Sequence, residues 1–304
     1  MTPRSIILEQ VCKSFGRQIA LQNVDLAFAP GECVGLVGHN GAGKSTLIKL
    51  MLGLSRPDSG RVSVLGEDPA GRAGARTRWA VGYLAENVAL YPALTGVETI
   101  EFYARLKGIR RADALPLLSR VGLAAEARLR AVRTYSKGMR QRLALAQAML
   151  GAPRVLLLDE PTSGLDPGLR QSFYEILHEL REGGATILLS SHQLTELEGA
   201  VDRVIVMAHG RKMADGDMLH LRRLAGVAPL LRIRLDQAAC PLPAGWHPAA
   251  GGSLELTCSE EEIAGRLRAL PDGVVSVEIL RPSLDDIYAT FLRQPEAAAR
   301  EGWG

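Results

Sequence analysis

The chain has 304 residues, 47% of them apolar and 23% charged, with 36 Lys and Arg against 33 Asp and Glu for a net charge of +3. That apolar share fits a globular protein with a substantial core and excludes wholesale disorder. The small, scattered positive balance gives no basis for a nucleic-acid partner, and no apolar run approaches the about 18 residues that a membrane span needs.

The opening "MTPRSIILEQVCKS" holds only a short apolar stretch broken by Glu9, so no secretory signal is expected and the chain reads as cytosolic. Residues 5–30 then alternate as two strands, "SIILEQVCKSFG" and "IALQNVDLAFAPG", joined near Gly16-Arg17 as in a hairpin. "ECVGLVG" is a short apolar strand that enters a glycine-rich turn, and "KSTLIKLMLGL" beyond it has helical periodicity and stops at Gly53. "SGRVSVLGEDP" and "RWAVGYLAEN" read as two more strands. From about residue 87 to 151 the pattern is helical and suggests a separate subdomain. In its last helix, "TYSKGMRQRLALAQAML", Ser136 stands at the N-cap, so open backbone N–H groups and a positive dipole end are expected there. Such a terminus suits an anion. Strands return as "RVLLLDE", "ATILLSSH" and "RVIVMAHGRKMADG", separated by the helical "GLRQSFYEILHELREGG". Continuous apolar strands alternating with helices imply an α/β fold with a mainly parallel sheet.

Composition shifts near Ala225, where "AACPLPAGWHPAAGGS" reads as loop or linker. Around it "LLRIRLD", "SLELTCS" and "VVSVEILRP" are strand-like, while "SEEEIAGRLRAL" and "PSLDDIYATFLRQ" are helical. The expected division is a main domain at 1–224, a small α/β appendage at 225–294 and a frayed tail at 295–304. The cysteines, Cys12, Cys33, Cys240 and Cys258, lie far apart with no histidine at ligand spacing and read as reduced thiols. His178, His209, His220 and His247 read as surface or structural residues.

Two segments carry chemistry. "GHNGAGKST" sets Gly38, Gly43, Lys44 and Ser45 in the G-x-x-x-x-G-K-[ST] pattern between a strand and a helix. Its glycines let successive N–H groups curl around phosphate oxygens. The nucleotide is therefore expected on the loop formed by Gly38, Asn40, Gly41, Ala42, Gly43, Lys44, Ser45 and Thr46. Lys44 reaches the β/γ-phosphates, and the Ser45 hydroxyl ligates Mg²⁺. His39, at a variable position, is expected to face solvent. "RVLLLDE" buries four apolar residues and ends in Asp159, placed to hold the Mg²⁺ shell, and Glu160, placed to polarise an attacking water. Together the two segments point to hydrolysis of a nucleoside triphosphate.

Over residues 5 to 220 the chain resembles the ATP-binding subunits of ABC transporters. "GHNGAGKST" and "VLLLDE" stand as the Walker A and Walker B motifs, "YSKGM" as the signature and "SGLD" as the D-loop. His192 in "LSSH" takes the switch-histidine position, and Phe15 in "CKSFG" that of the aromatic stacked on adenine. The resemblance implies a P-loop ABC cassette with an antiparallel β subdomain and a helical subdomain. Two copies would face each other head to tail around two Mg-ATP. Ser136, Lys137 and Gly138 of one copy would then approach the γ-phosphate held by the partner's Lys44, with Asp166 at the dimer contact and His192 on the γ-phosphate. Lys137 either adds a cation near the phosphate or points to solvent.

Two features depart from the family pattern. The signature keeps its Ser and second Gly but reads Tyr-Ser-Lys-Gly-Met, and Glu86 in "GYLAEN" stands where glutamine is usual. A carboxylate there still ligates Mg²⁺ or water but adds negative charge.

The interval between Lys44 and Ser136 leaves no room for the long coiled coil of DNA-repair members, and one cassette per chain separates it from translation-factor members. The resemblance thus implies an ATPase docked peripherally on the cytoplasmic face of the inner membrane, on a separately encoded permease. The rival is a soluble ATPase whose appendage binds a regulatory partner. "VGYLAENVALYPALTGVETIEFYARLKG", "YSKGMRQRLALAQAML" and "VEILRPSLDDIYATFL" are similar to ATP-binding subunits of transporters for nitrous-oxide reductase maturation. That similarity implies a role in copper-sulfur cluster assembly, with a periplasmic accessory protein acting through the permease. Exporters of drugs or polysaccharides are the alternative.

Overall fold

The structure is a computed structural model, and it describes residues 4–163, 165–192, 194–236, 244–270 and 273–293. These divide into two compact units, Met1–Asp215 and Gly216–Gly304.

In the first unit, β1 (Ile6–Phe15) and β2 (Gln18–Phe28) form the expected antiparallel hairpin, with Gly16 in the left-handed region at φ 60°. β3 (Cys33–Val37) leads through the glycine-rich turn into α1 (Lys44–Met51). β4 (Ser59–Val64) pairs antiparallel with β1 and completes a sheet of order β2-β1-β4. The expected strand from Arg78 is only partly formed. α2 (Gly74–Trp79) takes its first two residues, and the strand proper is the four-residue β5 (Val81–Leu84). The cause is local: 74–78 holds Gly, Ala and Arg with a single β-branched residue, and Gly74 packs against the Pro69 carbonyl, where a Cβ would collide.

Five helices follow: α3 (Gly96–Leu106), α4 (Arg111–Ala114), α5 (Pro116–Arg120), α6 (Ala125–Arg128) and α7 (Lys137–Ala148). Thr95 and Glu98 close a reciprocal capping box on α3, satisfying two otherwise orphan N–H groups. Ser136 caps α7 as expected, its hydroxyl accepting from the Met139 N–H at 3.3 Å. Then come β6 (Val155–Leu158), α8 (Pro167–Glu182), β7 (Thr186–Ser191), β8 (Arg203–Ala208) and β9 (Arg211–Gly216).

Among the described residues the central sheet has order β5-β6-β7-β3-β8-β9, with parallel pairing from β5 through β8. Every residue of β3, β6 and β7 is buried, which is why these strands read as continuous apolar runs instead of alternating. One core joins the hairpin, α1 and the central sheet through residues such as Phe28, Leu47, Ile48, Leu157, Leu188 and Ile205. Cys33 lies in this interior, where burial pushes its thiol up to about 12, so it acts as a small hydrophobe. Chain connections leave β3 and β7 in opposite directions across the sheet, so the crevice at their C-terminal ends is a topological switch point.

The second unit contains α9 (Met218–Ala225), β10 (Leu230–Leu235), β11 (His247–Pro248), β12 (Ser253–Thr257), α10 (Glu260–Arg268), β13 (Val274–Leu280) and α11 (Leu284–Arg293). Its antiparallel sheet has order β11-β12-β10-β13. Leu231, Ile233, Trp246, Leu256 and Ile263 form its core, while Arg232 on the opposite face pairs with Glu255 at 2.8 Å and Glu278 at 3.5 Å. α9 packs on α11 and belongs with this unit, so the division falls before 218–225, not after it. Cys240, most of the Ala/Pro-rich linker and the tail from 294 lie outside the described residues.

Candidate functional site

The glycine-rich loop sits at the switch point, at the mouth of a pocket of about 330 Å³. Its glycines have separate reasons. A Cβ on Gly38 would stand 2.6 Å from the Met207 carbonyl oxygen, and one on Gly43 would stand 2.7 Å from that of Ala20, at a φ of +105°. Gly41 meets nothing but has φ +85°, which L side chains rarely adopt. Gly43 is also the N-cap of α1 and offers no side-chain cap, so the first N–H groups of α1 are left for a ligand. Asn40, Gly41, Ala42, Ser45 and Thr46 line the pocket, whereas Gly38 lies behind it and lends its carbonyl to the Lys44 ammonium.

Lys44 is 6% exposed, and its Nζ stands 3.6 Å from Glu160 Oε1. Asp159 and Glu160 leave the end of β6, both buried. Leu158 pairs with Leu189 in the register of β6 and β7, which brings Asp159 beside Ser190. The Ser190 hydroxyl accepts from the Glu160 N–H at 2.9 Å and donates to Asp159 Oδ1 at 2.7 Å. Glu160 itself has φ 48°, a left-handed conformation that non-glycine residues rarely take, and the bond from its own N–H helps to hold it. His192, at the end of β7, places Nδ1 2.7 Å from Glu160 Oε2. Glu160 thus lies between a cation and an imidazole.

Phe15 is 54% exposed on the pocket wall, with Lys13 Nζ 5.4 Å from its ring centroid. Glu86 also lines the pocket and is exposed. Burial, and then the Asp159 and Glu86 carboxylates, raise the Tyr83 hydroxyl above its ordinary value. His39 does not simply face solvent. It lines the pocket half-buried, its Nδ1 2.7 Å from the Asn40 carbonyl oxygen and its ring 5.4 Å from that of His209.

The signature residues Ser136, Lys137 and Gly138 do not line this pocket; Ser136 and Lys137 are exposed. Gly138 has a local reason of its own, since a Cβ there would come 2.8 Å from Leu169 Cδ1 of α8. Asp166 caps α8, its Oδ1 accepting from the Leu169 N–H at 3.0 Å. Of the D-loop, Gly164 lies outside the described residues.

Sequence reasoning missed three supports. Ser190 bridges Asp159 and Glu160 beyond the end of β6. Buried Gln141 on α7 donates to the Pro161 carbonyl at 2.7 Å. Glu196 gathers the hydroxyls of Thr162 and Ser191. Only Ser190 and Ser191, buried polar residues closing the apolar run of β7, carried a signal in the sequence; Gln141 stands between Arg140 and Arg142 and carried none.

The donors around the pocket suit a hard cation. Among the described residues no cluster of three or more His, Cys, Asp or Glu forms a metal cage. Asp159, Ser45 and Glu86 do line one pocket, however, and they present oxygen atoms beside the Lys44 charge. Such a set fits Mg²⁺ completed by phosphate oxygens.

The comparisons agree with this geometry. The profile of the ABC transporter family matches residues 21–163. A daunorubicin resistance ATP-binding protein of Streptomyces coeruleorubidus is 34% identical over 304 residues, covering 95% of this chain and 96% of that protein. A Nod factor export ATP-binding protein of Rhizobium sp. is 38% identical over 222 residues, covering 71% of this chain and 72% of that protein. Among solved structures, an ATP-binding subunit of an ABC transporter superposes with a TM-score of 0.67 at 33% identity, covering 73% of this chain and 93% of its own. A bacterial ABC transporter cassette solved as a dimer gives 0.65 at 26% identity, over 70% and 98%. The same cassette is also known in a post-hydrolysis state with ADP and phosphate. With the phosphate-binding loop, the acidic end of β6 and these relatives in hand, the chain belongs to the ABC transporter family as an ATP-binding subunit, and it is an ATPase.

Proposed function

We propose that this subunit dimerises around two Mg-ATP and drives a separate membrane permease. The single observation that carries the reading is the convergence of Lys44, Asp159, Glu160 and His192 on one pocket beside an uncapped helix start. In this reading the loop amides and Lys44 hold the phosphates, Phe15 stacks on the adenine, and Ser45 and Asp159 hold Mg²⁺, with Glu86 at the rim. A Mg²⁺ ion held by these residues would supply positive charge to offset that of the triphosphate. Glu160 accepts a proton from the attacking water, and His192 holds the γ-phosphate while orienting Glu160. Ser136 and Gly138 of a second copy complete the site with a capped helix start, as befits residues that the pocket of their own chain does not include. Lys137, exposed beside them, adds a cation, and Asp166 reaches the partner. Loss of the γ-phosphate removes the shared anion and loosens the dimer, a population shift driven by one ligand.

Among the described residues no helix is long and apolar enough to cross a membrane; this reading places the permease on a separate chain, with the subunit docked on it peripherally. The relatives named for daunorubicin resistance and Nod factor export favour an exporter-type permease. A second reading, support of nitrous-oxide reductase maturation with a periplasmic accessory protein, rests on the three segments quoted above. The test is co-expression with candidate permeases and detergent pull-down. Recovery of a stoichiometric permease complex supports the reading; a chain that hydrolyses ATP yet never recovers a membrane subunit favours the soluble alternative.

Glu86 is exposed at the rim, so water and salt screen its charge from the triphosphate. Glu86→Gln is expected to leave the ATP Kd within about two-fold, under about 0.5 kcal/mol, while altering turnover. Equilibrium binding of a fluorescent ATP analogue measures this, and a variant that no longer bound nucleotide would contradict it.

A further inference from the structure

Glu160 and His192 belong to the ends of different strands, and backbone pairing between β6 and β7 stops before either residue. Something else must hold the two loops in register. Glu196, which follows β7, supplies the contacts. Its side chain is 9% exposed. Oε2 accepts from Thr162 Oγ1 at 3.0 Å and from Ser191 Oγ at 3.3 Å. Oε1 stands 3.2 Å from Arg170 Nη1, and the Glu196 carbonyl accepts from the Tyr174 hydroxyl at 2.7 Å. Thr162 lies two residues after Glu160, Ser191 directly precedes His192, and Arg170 and Tyr174 belong to α8, which begins after Asp166. One buried carboxylate therefore ties the loop after β6, the end of β7 and the helix behind the D-loop.

A buried charge is retained at a cost unless every partner is in place, so such a clamp behaves as a unit. We propose that Glu196 is a positioning residue for ATP hydrolysis: it holds Glu160 and His192 in mutual contact, touching neither nucleotide nor water itself. The inference rests on the roles proposed for Glu160 and His192. Its signature is a selective effect on the catalytic step, because ground-state nucleotide binding depends on the loop at 38–46 and not on this clamp.

The experiment is steady-state ATPase kinetics on the full chain for Glu196→Gln, Thr162→Val and the double variant, with Glu160→Gln as the reference and Tm recorded for each. Glu196→Gln keeps the side-chain shape but removes the charge facing Arg170; Thr162→Val removes one hydroxyl and is the milder change. Each single variant is expected to lower kcat by about ten-fold with the ATP KM within about two-fold. The double variant is expected to lose no more than the worse single one, because both changes break the same clamp. Wild-type kcat in both singles, additive losses, or a KM that rises in step with falling kcat would each overturn the inference. If Glu160→Gln itself turned over normally, the proposed site would fail; if it were dead while Glu196→Gln and Thr162→Val were unimpaired, only the clamp would.

Discussion

Glu160→Gln is expected to lower ATP turnover by about 10²–10⁴-fold while leaving ATP binding intact, and to accumulate an ATP-bound dimer. The amide keeps the size of the side chain and can still meet His192 Nδ1, now 2.7 Å from Oε2. It cannot accept a proton from water. It also removes the negative charge 3.6 Å from Lys44 Nζ, which frees that ammonium for the phosphates. Both consequences push the same way: the ground-state complex gains or holds, and the chemical step is lost. Size-exclusion chromatography with light scattering under saturating Mg-ATP measures the dimer, and phosphate release measures turnover. A variant that hydrolysed ATP at the wild-type rate would remove Glu160 from the proposed role.

Lys44→Ala is expected to act at the earlier step. A hydrogen bond to a charged group contributes about 1.5–3 kcal/mol, so ATP affinity should fall by about 10–100-fold. Hydrolysis should fall further, since the lysine also opposes charge on the departing phosphoryl group. The fold should survive. Alanine is the best helix former at this first position of α1, and the ammonium's hydrogen-bond partner, the buried Gly38 carbonyl, belongs to the same loop. The change does leave Glu160 without its cation, so a modest fall in Tm is expected alongside the binding loss. Isothermal titration with ATP at wild-type and variant concentrations checks the first effect. Unaltered affinity would mean that the phosphates lie elsewhere.

These two substitutions separate what the proposed site asks of its residues. In the proposed roles Lys44 serves the bound triphosphate, and Glu160 serves chiefly the reaction. A mutation at Glu196 or Thr162 should resemble the second class and not the first, despite standing outside the pocket.

Much of the molecule was legible from the chain itself. The hairpin at Gly16, the loop after β3, the helix start at Ser136 and the strand ending just before Asp159 all appear where the pattern put them. Each depends on residues within about four positions: side-chain alternation, a capping hydroxyl, a glycine where φ must be positive. The segment at Arg78-Trp79 was misread because a short helix and a short strand share it, and periodicity cannot split so few residues. His39 was misread because a variable position in a motif says nothing about the ring that approaches it, and His209 is far away in sequence.

Local sequence therefore determined the elements, the phosphate-binding loop and the identity of its cationic and acidic residues. Tertiary structure alone decided which of them meet. Glu160 and His192 touch because β6 and β7 are neighbours in a parallel sheet with Leu158 opposite Leu189. Ser190, Gln141 and Glu196 matter because strand order and helix packing carry them to the same loop. Short-range stereochemistry sets backbone form and capping, whereas contact between distant side chains is set by register and chain crossover, which no window of residues encodes.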